Sequence, residues 1–182
     1  MQFDLFDSTL NKILDAKTYG EFKEALARSN CTQCALSESR SHIVVDRGNP
    51  SAKVLMIGEG PGENEDIQGK AFVGRAGQLL DELMKNLGFD TNQDSLIINV
   101  VKCRPPGNRD PEGEEIASCK HYLAEQIEII QPKILLALGR HAGGNILNQQ
   151  GASIKSMRAK MWKYQEIPVQ EIPVIVTYHP SA

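Results

Sequence analysis

The stretch Lys53-Val54-Leu55-Met56-Ile57-Gly58-Glu59-Gly60-Pro61-Gly62 is an unbroken apolar run that stops in a glycine-rich turn. Apolar residues with no polar alternation read as a strand buried on both faces, the pattern of a parallel sheet covered by helices. A helix over Gly77 to Leu87 follows, with Leu79, Leu80, Leu83 and Leu87 as its apolar face and Gly88 as its stop, so the two elements make a β-α unit. The alternation then repeats. Ser95 to Val101 is the next strand. Asp110 with Pro111 marks a helix start, and apolar positions continue through Ile116, Leu123, Ile127 and Ile130 before Pro132. Lys133 to Leu138 is a third strand, Arg140 to about Leu147 a short helix, and Ile172 to Tyr178 a fourth strand after a basic, irregular segment. Upstream, Ser8 is placed to cap a helix through Leu10, Ile13 and Leu14, and a second helical stretch runs through Phe22, Ala25 and Leu26. The plan predicts an α/β fold: three layers, α/β/α, around a four-stranded parallel sheet. Residues 1–182 read as a single domain with an N-terminal helical segment, 1–30, packed on it.

Composition agrees with that plan. The 182 residues, 41% hydrophobic and 24% charged, suit one soluble domain with a sizeable core. The start, Met-Gln-Phe-Asp-Leu-Phe-Asp, is acidic and lacks an apolar signal region, and no run is long enough to span a bilayer. A cytoplasmic protein is expected. The net charge of -3 argues against a wholly basic nucleic-acid coat. Local cations matter more: Lys102, Arg104 and Arg109 fall in one loop and Lys155, Arg158, Lys160 and Lys163 in another, each set enough to meet a phosphate or simply to be solvated.

Parallel strands put their carboxyl ends on one rim, and open α/β sheets bind ligands there. The unusual residues fall at those ends: Gly58 to Gly62 after the first strand, Cys103 to Asn108 after the second, Gly139-Arg140 after the third and His179-Pro180 after the fourth. The loop from Asn99 to Arg109 combines a soft metal ligand, cations and two neutral amides, a mixture no turn requires. The glycine turn matches neither a dinucleotide fingerprint nor a Walker loop. Glu59 inside it is a carboxylate at a strand mouth, between glycines that let backbone and ligand approach. Cys31-x-x-Cys34, Cys103 and Cys119 read as a shared metal site, because a cytosolic setting disfavours disulfides. That spacing serves zinc and iron–sulfur alike, and four unrelated thiols are the plain alternative. Convergence would clamp the N-terminal loop to the second strand's loop and position Lys102, Arg104 and Asn108. His42, His121 and His141 read as ordinary packed or exposed imidazoles.

Four motifs carry a family resemblance: Gly58-Glu59-Gly60-Pro61-Gly62-Glu63-Asn64-Glu65-Asp66, Lys70-Ala71-Phe72-Val73-Gly74-Arg75-Ala76-Gly77, Asn99-Val100-Val101-Lys102-Cys103-Arg104-Pro105-Pro106-Gly107-Asn108-Arg109 and Thr177-Tyr178-His179-Pro180-Ser181. In that order they resemble the family 4 uracil-DNA glycosylases, the iron–sulfur type. The resemblance implies a [4Fe-4S] cluster on Cys31, Cys34, Cys103 and Cys119, and uracil-containing DNA, single- or double-stranded, as partner of a monomer. It implies a pocket in which Phe72 stacks on an extruded uracil, Asn99 reads its edge, Gly60 lines the site and Glu65 closes the space beside uracil C5. It implies catalytic roles for His179 at uracil O2, for Glu59 toward water or the sugar cation, and for Asn108 near the water or the DNA backbone. Without the family, Phe72 reads as core and Asn99 as an amide satisfied by backbone. Family sequences continue past His-Pro-Ser with an apolar and basic stretch, so a truncated C-terminal end is expected here, and Arg158-Ala159 stands where an Arg-Gly pair is common. A superfamily relative acting on another deaminated base, a non-catalytic iron–sulfur DNA-binding module and a zinc-stabilised nucleotide-binding domain remain as rival readings.

Overall fold

The computed structural model describes residues 10–158, 160–166 and 171–182. Six strands form one sheet: β1 (Arg47–Gly48), β2 (Val54–Gly58), β3 (Ser95–Asn99), β4 (Ile134–Leu138), β5 (Trp162–Tyr164) and β6 (Ile172–Thr177), ordered β1-β3-β2-β4-β6-β5. The four expected strands are the parallel centre, with Gly58 opposite Asn99, Ile57 opposite Ala137 and Leu138 opposite Thr177. The count of four is corrected to six by β1 and β5, which pair antiparallel at the two edges. They are two and three residues long, too short to leave a hydrophobic period in the sequence.

Seven helices with complete bounds surround the sheet: α1 (Tyr19–Arg28), α2 (Glu63–Gln68), α3 (Arg75–Asn86), α4 (Thr91–Asp94), α5 (Gly113–Ile130), α6 (Arg140–Ile146) and α7 (Ile154–Arg158). Residues 10–14 are also helical, while Ser8, the expected cap, lies outside the described residues, as does Ala159. Thr18 and Glu21 close a reciprocal capping box on α1, satisfying backbone donors that a helix start leaves free. Phe22 and Leu26 of α1 join Tyr122 and Ile127 of α5 in a core against Leu55, Ile57, Leu96 and Ile98. On the other face Met56, Ile97 and Leu138 pack with Phe72 and Leu80. Side chains thus leave the parallel strands in both directions, which gives three layers. No described helix is long and apolar enough to cross a membrane.

Two helices depart from their sequence reading. α3 buries Gly77 and Leu80, whereas Leu79, Leu83 and Leu87 stand 40%, 50% and 79% exposed, an apolar ridge turned away from the sheet. α5 begins at Gly113 rather than at Asp110, because Glu112 and Glu115 form its capping box and leave the Asp110 side chain free to face elsewhere.

The chain leaves β2 toward β3 on one side and leaves β4 toward β6 on the other, so the topological switch lies between β2 and β4. Ligand crevices of open α/β sheets form outside the carboxyl ends at such a point.

α3 is fixed against the sheet by a contact only glycine permits. A Cβ on Gly77 would sit 1.8 Å from the Phe72 carbonyl oxygen. Gly77→Ala is therefore expected to destabilise the fold by about 1–2 kcal/mol, overpacking outweighing the gain of roughly 1 kcal/mol in helix propensity. Denaturant unfolding measures this, and an alanine variant as stable as wild type contradicts the packing.

Candidate active site

The rim holds an open cleft of about 570 Å³, within the range of small-molecule sites. Glu59, Gly60, Glu65, Phe72, Asn99, Asn108 and His179 all line it, so the seven residues singled out as pocket or catalytic candidates meet in one place. Their approach depends on Gly58. A Cβ there would lie 2.4 Å from the Phe72 ring and 2.5 Å from Asn99 Oδ1. Past the strand ends the backbone ladder continues, Val100 and Val101 N–H donating to the carbonyls of Gly58 and Glu59, which sets Glu59 beside the second loop.

Asn99 is 1% exposed, and neither its Oδ1 nor its Nδ2 has a partner among the described residues. A buried amide left unpaired costs about 1–3 kcal/mol per group, so its donor and acceptor are held ready at the cleft. Phe72 has φ 54°, a left-handed conformation that bulky residues seldom adopt. Its ring lies 5.9 Å from the His179 ring, tilted by 45°. The Ser181 N–H points at His179 Nδ1 over 3.3 Å, which assigns the ring proton to Nε2. Burial pushes the His179 pKa below the usual imidazole value, so a neutral Nε2 donor persists near pH 7.

Glu59 is not alone on its side. Ligand-type atoms of Glu59, Asp110 and His141 all lie within 4.8 Å of one another. Two loops and the switch point create this trio: Glu59 follows β2, His141 lies in the first turn of α6 just after β4, and Asp110 ends the loop after β3. His141 Nε2 stands 3.1 Å from Asp110 Oδ2 and 3.0 Å from Arg140 Nη2. Burial raises the Glu59 pKa, His141 opposes the rise, and the Asp110 charge and hydrogen bond add to it. Sequence reading missed Asp110 and took His141 for an ordinary imidazole. Its place one residue beyond Gly139-Arg140, on the same rim, was the available signal. His42, bonded to the Asp66 carbonyl, and His121, packed on the Tyr122 ring, keep the plain reading.

Glu65 accepts the Gly74 N–H at 2.6 Å, which fixes its carboxylate at the start of α3. Asn108 takes φ 55° and its Oδ1 accepts from Arg104 Nε at 2.8 Å. The loop cations are less free than their sequence suggests. Arg109 is bound bidentately by Glu115, and Lys102 is 1% exposed, so Lys102 is corrected from a phosphate contact to a buried group.

Behind this loop, Cys31, Cys34, Cys103 and Cys119 line one small recess. Arg40 Nη1 lies 3.6 Å from Cys103 Sγ and the Tyr122 hydroxyl 3.5 Å from Cys31 Sγ, donors aimed at sulfur. Burial drives the Cys103 thiol up to about 12 and Cys119 up to about 11. Thiolates here need a strong positive partner. Among the described residues no three cysteine sulfurs come within 4.8 Å of one another.

The family described as "Uracil DNA glycosylase superfamily" matches residues 45–182. The type-4 uracil-DNA glycosylase of Sulfurisphaera tokodaii is 48% identical over 84% of this chain and 70% of its own length. That of Thermotoga maritima is 44% identical over 83% of this chain and 76% of its length. The type-5 uracil-DNA glycosylase of Pyrobaculum aerophilum is more distant, 30% identical over 74% of this chain and 63% of its length. On these matches the chain belongs to the uracil-DNA glycosylase superfamily and, within it, to the type-4 family.

Proposed function

We propose that this protein hydrolyses the N-glycosidic bond of uracil in DNA, leaving an abasic site, and that it carries a structural [4Fe-4S] cluster. The observation that carries the reading is Asn99: a buried amide with both polar atoms unpaired, lining the cleft next to Phe72. Uracil offers a donor and an acceptor side by side on its edge, and one orientation of an amide meets both while cytosine requires the other. Extruding the base costs a few kcal/mol. Stacking on Phe72, worth roughly 1–3 kcal/mol, offsets much of that.

When the bond between C1′ and N1 breaks, its electron pair leaves with the base, so negative charge gathers on uracil N1 and O2 and positive charge on the sugar. The neutral His179 suits the first task, its Nε2–H donating to O2, where one such donor is worth about 3 kcal/mol by analogy with an oxyanion hole. Glu59 suits the second, as a carboxylate that stabilises the sugar cation or orients the water that adds to C1′. Asn108 assists near that water or the DNA backbone. Gly60 lets the backbone approach the base. Glu65, held by the Gly74 amide, closes the space beside uracil C5 against a methyl group.

The four cysteines line one recess and supply the four thiolates that such a cluster takes, each on its own iron. Such a cluster would supply a covalent clamp and positive charge for four thiolates, two of them buried, tying the loop after α1 to the loop after β3 and to α5.

Three outcomes test these roles. With a uracil-containing oligonucleotide followed by alkaline cleavage, wild type gives strand breaks at uracil positions, and His179→Ala loses about 100-fold in rate. Unchanged cleavage by His179→Ala and Glu59→Ala refutes the assignments, and no abasic product from wild type refutes the enzyme. Because Glu59 is needed as a carboxylate and its pKa is raised, the acid limb of kcat/KM lies above the ordinary carboxylate range. His141→Asn removes an influence that lowers that pKa and moves the limb to higher pH, while Asp110→Asn removes one that raises it and moves the limb lower. Purified protein is brown with bound iron and sulfide, and Cys103→Ala is recovered with less iron and less soluble protein. A colourless, zinc-loaded wild type excludes the cluster.

A further inference from the structure

Lys102 is a fully buried ammonium that the reaction does not use. Its side chain is fully enclosed, and Nζ donates to the Asn99 carbonyl and to Gln126 Oε1, both at 2.5 Å. Both acceptors are neutral. A buried ammonium without an anion is strongly unfavourable, so its counter-charge must be found nearby. Asp46 lies at the far end of the hydrogen-bonded chain. Gln126 Nε2 donates to the Tyr19 hydroxyl, Tyr19 donates to Asp46 Oδ2, and Asp46 Oδ1 is already bound by Lys23. Sulfurs are candidates as well: Lys102 lines the cysteine recess together with Cys103, its neighbour in sequence, and Cys119. The same ammonium therefore touches the strand end that presents Asn99 and borders the site of the four thiolates.

We propose that Lys102 is a positioning residue that couples the cysteine site to the uracil-reading Asn99, its ammonium serving as counter-charge to the thiolates while its hydrogen bond fixes the Asn99 carbonyl. The inference rests on the cluster reading above and adds a specific link to it. Gln126, through its Nε2 bonds to the Tyr19 hydroxyl and the Val45 carbonyl, holds the other side of Nζ, so the link is anchored to α1 and α5 together.

The test compares wild type, Lys102→Met, Gln126→Leu and, as a control outside this chain of bonds, the exposed Lys85→Met, all purified with their iron. Iron and sulfide content of wild type is measured first: a protein without iron overturns the cluster reading, and this proposal with it. With iron present, Lys102→Met is expected to shift the cluster's reduction potential to more negative values, because a nearby positive charge that favours the reduced form is gone, while Lys85→Met leaves it unchanged. KM for a uracil-containing oligonucleotide rises about tenfold in Lys102→Met with kcat changed much less, the loss of one hydrogen bond behind the base-reading amide. Should Lys102→Met fail to fold, Gln126→Leu, which frees Nζ from one anchor but keeps its charge, is expected to raise KM with the potential nearly unchanged. A loaded Lys102→Met with wild-type potential and KM overturns the proposal and leaves the cluster reading standing, and so does a Gln126→Leu variant with wild-type KM.

Discussion

Four parallel strands that end on one rim impose the geometry on which the rest depends. Because β2, β3, β4 and β6 run the same way, Glu59, Asn99, His141 and His179, far apart in the chain, emerge at one edge of the sheet. The switch between β2 and β4 opens the crevice, and Gly58 makes it deep enough to matter: any side chain there would occupy the space where Phe72 and Asn99 approach each other. The sheet therefore supplies position, while one missing Cβ supplies room.

What the rim holds is expensive to fold. An unpaired buried amide and a phenylalanine and an asparagine in the left-handed region each cost of order 1–3 kcal/mol, offset only at Phe72, whose ring also packs with Met56, Ile97 and Leu138. Unfavourable choices of this kind, gathered within one cleft, are where a fold yields stability to a binding task. The two hydrophobic layers under the rim and the buried hydrogen-bonded chain from Asp46 through Tyr19 and Gln126 to Lys102 hold the strand ends against that cost.

Much of this was legible in the sequence, for identifiable reasons. Long apolar runs such as Val54 to Ile57 and Leu96 to Ile98 mark strands buried on both faces, and the βα alternation then fixes which loops share a rim. Edge strands β1 and β5 escaped because two or three residues carry no period. The ridge of Leu79, Leu83 and Leu87 was misread because a helical spacing names a face without saying what covers it; Gly77 and Leu80 make the contact instead. Lys102 was misread because a lysine in a polar loop is ordinarily solvated, and only the fold reveals that its chain turns inward toward Gln126. Asp110 and His141 escaped as partners of Glu59 because local sequence does not record a contact between two loops and a helix start, and the rim position of His141 names only its neighbourhood.

The most direct test of the account is a crystal structure of the protein with uracil bound. The account requires the base in the rim cleft, its ring against Phe72, Oδ1 and Nδ2 of Asn99 both within hydrogen-bond distance of its edge, and His179 Nε2 next to O2. Uracil bound elsewhere, or in the cleft with the Asn99 amide still unpaired, contradicts it.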